Sequence, residues 1–115
     1  MPLLRIQTNV AVPADKADVL LSLGTDLIVN KMNKPREYVQ VVVEPEAAIA
    51  FAGTREASAF VELRSLGLSE EEARLLSGKI CGLLEAQLAI PPARVFINFF
   101  DFPRPMWGWD GKTFG

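Results

Sequence analysis

The sequence predicts an α/β (α+β) fold, in which two β-α-β repeats build a four-stranded sheet with two helices on one face. Three observations point there. The opening segment, Pro2 to Asn9, sets Leu4 and Ile6 between Arg5 and Gln7, the alternation of a strand with one buried face. Two long stretches place apolar residues at helical spacing, and each ends shortly before a proline and an apolar run. An offset of 57 residues lays the first set of segments on the second, Pro35 on Pro92 and Glu44 on Asp101.

The first helix is expected from about Ala14 to Asn30, carried by Val19, Leu20, Leu23, Leu27 and Ile28. The second opens on Ser69-Glu70-Glu71-Glu72, a capping box in which Ser and Glu side chains satisfy each other's free backbone N–H. It runs on through Leu75, Leu76, Ile80, Leu83 and Leu84. Strands follow over Lys34–Val43 and Pro91–Phe100, and the offset pairs Leu4 and Ile6 with Val61 and Leu63 in a second opening strand. A strand–helix–strand unit with parallel strands crosses over right-handedly, so both helices lie on one face. The other face then needs a cover, and further copies of the chain supply it economically. Gly78-x-x-x-Gly82 is assigned to close packing of helix on sheet.

At 115 residues the chain reads as one domain, 1–115, with repeat halves of about 1–57 and 58–115. Half the residues are hydrophobic, more than a small core needs, and the surplus points to burial between subunits. A net charge of −2 with interspersed signs argues against a nucleic-acid partner. With no histidine and a single Cys81, the commonest metal ligand, an internal disulfide and Cys-x-x-Cys chemistry are all excluded. Cys81 is expected as a buried core thiol. No stretch approaches the ~20 apolar residues of a membrane span, and the first residues lack a signal-peptide pattern. The expectation is a cytoplasmic protein without a membrane partner.

Pro2 carries the most specific chemistry. A small second residue normally permits removal of Met1, which would leave a free secondary amine on a rigid strand. Such an amine is a general base; within a chain the same nitrogen is an amide. An α-amino group titrates near 7.7–8, and burial or a nearby cation lowers it further. Lys34 is a candidate for that cation and for holding an anionic substrate, or else simply complements a helix C-terminus. Asn98, in an apolar strand, is expected to be buried and in need of partners. Arg94 and Arg104 read as surface cations. Trp107, Trp109 and Phe114 surround an Asp110-Gly111 hairpin signal and must dock on something.

These residues, taken in order, resemble the macrophage migration inhibitory factor family of the tautomerase superfamily. The resemblance rests on Met1-Pro2 before a strand ending Gln7-Thr8-Asn9-Val10, Lys34-Pro35 ahead of Tyr38, Ser65-Leu66-Gly67, Cys81-Gly82-Leu83-Leu84, Arg94 to Asp101, Gly108-Trp109 and Thr113-Phe114. It implies a homotrimer whose sheets form a central barrel, with three active sites at subunit boundaries. It implies keto–enol tautomerisation of phenylpyruvate-like acids and dopachrome-type substrates without metal or organic cofactor. Pro2 would be the base, Lys34 the cation on the substrate carboxylate, the Leu66 N–H a donor, and Asn98 a contact from the neighbouring subunit. Tyr38, Trp109 and Phe114 match pocket positions. Phe96 stands where a tyrosine is usual and Trp107 where a small aliphatic residue is, which bears on substrate preference. The family's Cys-x-x-Cys pair is absent from Ala57-Ser58-Ala59-Phe60-Val61, so a thiol–disulfide activity is not expected. Leaderless secretion and receptor binding are implied only by the resemblance. The alternative is a cytokine-like signalling or binding protein with a vestigial pocket.

Overall fold

The alternating segments pair as their patterns require. The computed structural model describes residues 1–115. Strand β1 (Leu3–Thr8), helix α1 (Ala14–Met32) and strand β2 (Gln40–Glu44) form the first unit. Strand β3 (Ala59–Leu66), helix α2 (Glu70–Leu88) and strand β4 (Val95–Phe102) form the second. The hairpin β5 (Gly108–Trp109) and β6 (Lys112–Thr113) ends the chain. The main sheet runs β2-β1-β3-β4. Within each unit the strands are parallel, and the units meet through antiparallel β1 and β3, Leu4 opposite Leu63 and Ile6 opposite Val61.

Both helices cover one face. Leu4, Ile6, Val61 and Leu63 from the sheet, Ile28 and Met32 from α1, and Leu76, Ile80 and Leu84 from α2 form one core. Burying a side chain of this size stabilises the fold by roughly 1.5–3 kcal/mol. On α1 the buried stripe is Leu20, Gly24, Ile28 and Met32, spaced by four, while Val19 turns outward, as Leu75 does on α2. Gly24 is the glycine of close packing: a Cβ there would stand 3.2 Å from Val41 Cγ1 and 3.4 Å from Leu4 Cδ2. Gly78 and Gly82 instead face open space on the far side of α2, so they do not mediate helix–sheet packing. Cys81 is half-buried against the core rather than within it. Burial pushes its thiol up, and the Glu85 carboxylate adds to the effect.

A single offset of 57 does not hold along the whole chain. The opening strands keep it, but α1 and α2 differ by 56 and so do the edge strands, Val41 lying in register with Leu4 as Ile97 does with Val61. Counted from the equivalent positions Leu4 and Val61, the first unit has one residue more before its helix begins. A shift of one residue swaps strand faces. Glu44 and Asp101 are therefore not equivalent. Glu44 pairs with Arg5 on the open face of the sheet, whereas the Asp101 carboxylate accepts from the N–H groups of Gly67 and Leu68 at 2.9 and 3.2 Å.

The open face carries a charged row, Glu44–Arg5–Glu62–Arg64, flanked by Phe96 and Phe100. Glu62 is only 6% exposed. Hydrogen bonds from Arg64 pull its carboxyl below the usual carboxylate range; burial opposes this and Arg5 adds to it. The Thr8-Asn9 pair has a structural task. Thr8 Oγ1 donates to the Ser58 carbonyl, and Asn9 Nδ2 donates to the carbonyls of Arg55 and Glu56.

Arg94 is not a surface cation. Its guanidinium donates to the carbonyls of Ala57, Phe51, Thr54 and Glu56, clasping the segment before β3.

Candidate functional site

Pro2 lies at the start of a central strand with its ring fully buried, and its carbonyl accepts the Gln40 N–H at 3.0 Å. Parallel pairing of β1 with β2 thus fixes the N-terminus beside Tyr38 and Val39. Met1 is present in this structure, so the Pro2 nitrogen is an amide here. The Met1 amine is held below its ordinary value of 8.0, first by burial and then by the charge of Lys34. An amine one residue further in would sit where the chain is more buried still.

Two cavities adjoin at Met1, the residue common to both linings. The first is a cleft of about 380 Å³ lined by Met1, Pro2, Tyr38, Trp107, Trp109 and Phe114, with Glu37 at its wall. Its rings brace one another. Tyr38 stands edge-on to Trp109 at 5.2 Å and to Phe114 at 5.9 Å, and Trp109 stacks on Phe114. The tail reaches this position through its tight turn: Asp110 and Gly111 both take positive φ, 54° and 74°, as a type I′ hairpin needs. Lys112 Nζ lies over the Trp109 ring, 5.1 Å from its centre.

The second cavity, about 450 Å³, is lined by Met1, Lys34, Leu66, Gly67, Phe102 and Arg104 among others, and by no carboxylate. Lys34 follows the left-handed Asn33 that ends α1, and its ammonium donates to the Leu66 carbonyl at 2.8 Å. One of its three N–H groups is thereby used, and the others face the cavity without a protein partner. Arg104 sits in a short turn, Arg104–Met106, between Pro103 and Pro105, and its Nε donates to the Phe114 carbonyl at 3.0 Å.

The structure thus brings Pro2, Lys34, Leu66, Tyr38, Trp107, Trp109 and Phe114 around the N-terminus. Within one chain Phe96 and Asn98 line neither cavity. Both lie on the open face of β4, alternating with the core-facing Ile97. Asn98 is exposed and not buried, with no partner in the chain, because β4 is the edge strand and nothing in this chain covers that face. Phe96, 66% exposed, packs on Phe51 at 4.7 Å in a wholly apolar hollow of about 390 Å³. Arg104, expected as a surface cation, is exposed but lines the second cavity with its Nε tied to the tail, and Glu37 carried no expectation from the sequence. Pro103-Arg104-Pro105 did hold a signal, a cation between two residues of fixed φ just before the aromatic tail.

No group of three His, Cys, Asp or Glu side chains is placed to hold a metal ion. No helix is long and apolar enough to cross a membrane.

Similarity to known proteins covers the full length. The family model described as macrophage migration inhibitory factor matches residues 1–115. The macrophage migration inhibitory factor of Mus musculus is 36% identical over 115 residues, 99% of each chain. The homolog from Trichinella spiralis is 31% identical over 115 residues, 99% of this chain and 100% of the other. Among solved structures, the homologue from Prochlorococcus marinus superposes with a TM-score of 0.94 at 35% identity, covering 98% of this chain and 99% of that one. That of Trichinella spiralis gives 0.88 at 31% identity, covering 97% and 99%. With a family model matching residues 1–115, identity above 30% along its length and a TM-score of 0.94 to a solved homologue, this chain belongs to the macrophage migration inhibitory factor family.

Proposed function

We propose that this protein is a cofactor-independent keto–enol tautomerase of the phenylpyruvate or dopachrome type, with Pro2 as general base once Met1 is removed. Family membership supports a tautomerase- or cytokine-type function in general. The observation that carries the finer reading is the position of Met1. It is the residue shared by an aromatic cleft and a cationic cavity, so its removal would join them around the Pro2 nitrogen. An α-keto acid with an aromatic side chain has matching parts: a ring for the cleft, a carboxylate for Lys34, and between them the carbon whose proton is exchanged.

The burial and the Lys34 charge that lower the Met1 amine would act in the same direction on a proline amine, toward the neutral range where general-base catalysis is most efficient. The base takes a proton from the carbon beside the carbonyl and returns one to oxygen, or the reverse. Leu66 and Asn98 serve as the further polar contacts, and Phe96 and Trp107 tune specificity. Asn98 and Phe96 reach the site from a neighbouring copy in a homotrimer. The uncovered sheet face and the exposed Phe96 and Phe100 support that assembly.

A spectrophotometric assay of phenylpyruvate enol–keto conversion tests the reading, using Met1-processed native protein and Pro2→Ala. Loss of turnover in the variant is the expected result. Turnover undiminished in Pro2→Ala would remove Pro2 as the base. A fold of the same stability with no turnover in the native protein would favour the signalling or binding reading.

A further inference from the structure

We infer that Arg104 makes the cationic cavity a site for two anionic groups, so that the preferred substrates are 2-keto acids bearing a second anion. The inference rests on the tautomerase reading and names its substrate class. Lys34 and Arg104 face one cavity of about 450 Å³, far larger than a single carboxylate. Neither forms an ion pair within the chain. The nearby carboxylate, Asp101, accepts from the N–H groups of Gly67 and Leu68 and is not paired with either cation.

The two cations are tied to different parts of the fold. Lys34 is anchored on the Leu66 carbonyl at the end of β3, Arg104 on the Phe114 carbonyl of the tail. They are thus fixed as two positions rather than one clamp. The Arg104 bond uses Nε alone, which leaves Nη1 and Nη2, a planar pair of donors suited to a carboxylate or phosphate, without a protein partner. Pro103 and Pro105 stiffen its backbone, so little freedom is lost when an anion binds. Of the other arginines, Arg5 and Arg64 are engaged with Glu62, Arg36 with Asp26, and Arg94 with four carbonyls; Arg55 and Arg74 do not line the cavity. On the other side of Met1 the cleft wall carries Glu37, which disfavours a second anion there.

The test compares acids matched in chain length, 2-oxoglutarate against 2-oxopentanoate and 2-oxoadipate against 2-oxohexanoate. Deuterium exchange at the carbon beside the ketone is followed by proton NMR on Met1-processed protein. The native protein is expected to favour a diacid at least tenfold in kcat/KM. Arg104→Gln, which keeps a donor for Phe114 but not the charge, should bring that ratio to within about twofold of unity, and Arg104→Lys should restore part of it. Equal losses on mono- and diacids in Arg104→Gln, or a native preference for the monoacids, would overturn the inference. If no keto acid exchanges at all, the tautomerase reading fails separately. Quenching of tryptophan fluorescence by glutarate and by pentanoate then decides: an Arg104-dependent preference for glutarate upholds the two-anion site, and equal binding ends it.

Discussion

The two β-α-β units are built alike and end differently. Each has a helix of 19 residues closed by a left-handed residue, a short turn, and a parallel edge strand. In the first unit two cations precede the edge strand: Arg36 pairs with Asp26, while Lys34 makes one bond to a carbonyl with a cavity before it. In the second the cation is Arg94, with its donors committed to the carbonyls of residues 51, 54, 56 and 57. Lys34 is left free to meet a ligand, and Arg94 holds the fold together. The opening strands differ in the same sense. β3 begins within the chain, held through Thr8 and Asn9, whereas β1 begins at Leu3, directly after Pro2 beside the aromatic tail. A repeated fold thus supplies two scaffolds, and the proposed chemistry needs the end that only one of them has.

The sharpest way to break this comparison is to remove the proposed base. Pro2→Ala is expected to lower phenylpyruvate turnover by about 10²–10⁴-fold, the span of general-base contributions, with the fold intact. Retention of Met1, verified by intact mass on the same batch, should do as much, since the Pro2 nitrogen is then an amide.

Lys34→Ala comes next. Use of keto acids should weaken by about 1.5–3 kcal/mol, the worth of a hydrogen bond to a charged group, while methyl esters are affected far less. The pH profile adds a signed check. A general base works unprotonated, so kcat/KM rises with pH through the amine's pKa. Burial and Lys34 lower the Met1 amine in this structure; if the same charge acts on a Pro2 amine, removing Lys34 moves the rising limb to higher pH. A limb that stays in place, with equal losses on acid and ester, would make Lys34 a surface cation like any other.

Arg94→Ala should act on stability where Lys34→Ala acts on catalysis. Denaturant unfolding is expected to show a loss of about 1–3 kcal/mol from the released carbonyls. The amine's titration limb should stay where it was. A shift of that limb would mean the two cations are not divided as described.

The helix ends give the smallest contrast. α2 has the complete Ser69–Glu72 capping box, whereas α1 begins at Pro13 with no side-chain cap. Ser69→Ala should cost about 1 kcal/mol. At the other ends Asn33 and Ala89 both sit at φ 55°, a conformation that asparagine accepts more readily than alanine. Ala89→Gly is therefore expected to stabilise the protein by roughly 0.5–1 kcal/mol, visible as a raised Tm, while Asn33→Gly changes little.

Much of this was legible in residue patterns because those patterns are local. Leu4 and Ile6 alternating with Arg5 and Gln7 mark a half-buried strand, Ser69 with Glu72 marks a helix start, and Asp110-Gly111 marks a hairpin. Each depends on contacts a few residues away. The Lys34, Tyr38, Trp109 and Phe114 positions could be nominated for a site through the family resemblance, since the order of motifs survives in a linear reading.

What pattern could not decide was which partner each long-range group would find. Val19 and Leu75 fit the helical spacing, yet a helix buries only the stripe that meets the sheet; on α1 that stripe is set by how Gly24 seats against Val41. Arg94, Arg104 and Lys34 are all cations near a proline; only the folded chain determines that one clasps a loop, one lines a cavity, and one reaches Leu66. Asn98 looked buried because its neighbours are apolar, but strand parity puts it on the uncovered face with Phe96. The sequence by itself determined the two units, their strands and helices, the caps and the tail turn, because these are short-range matters of sterics and hydrogen bonding. Only the tertiary structure decided where Met1 sits between the two cavities, which charges remain unpaired, and which sheet face stays open, because those depend on side chains that meet across tens of residues and on the one-residue difference between the units.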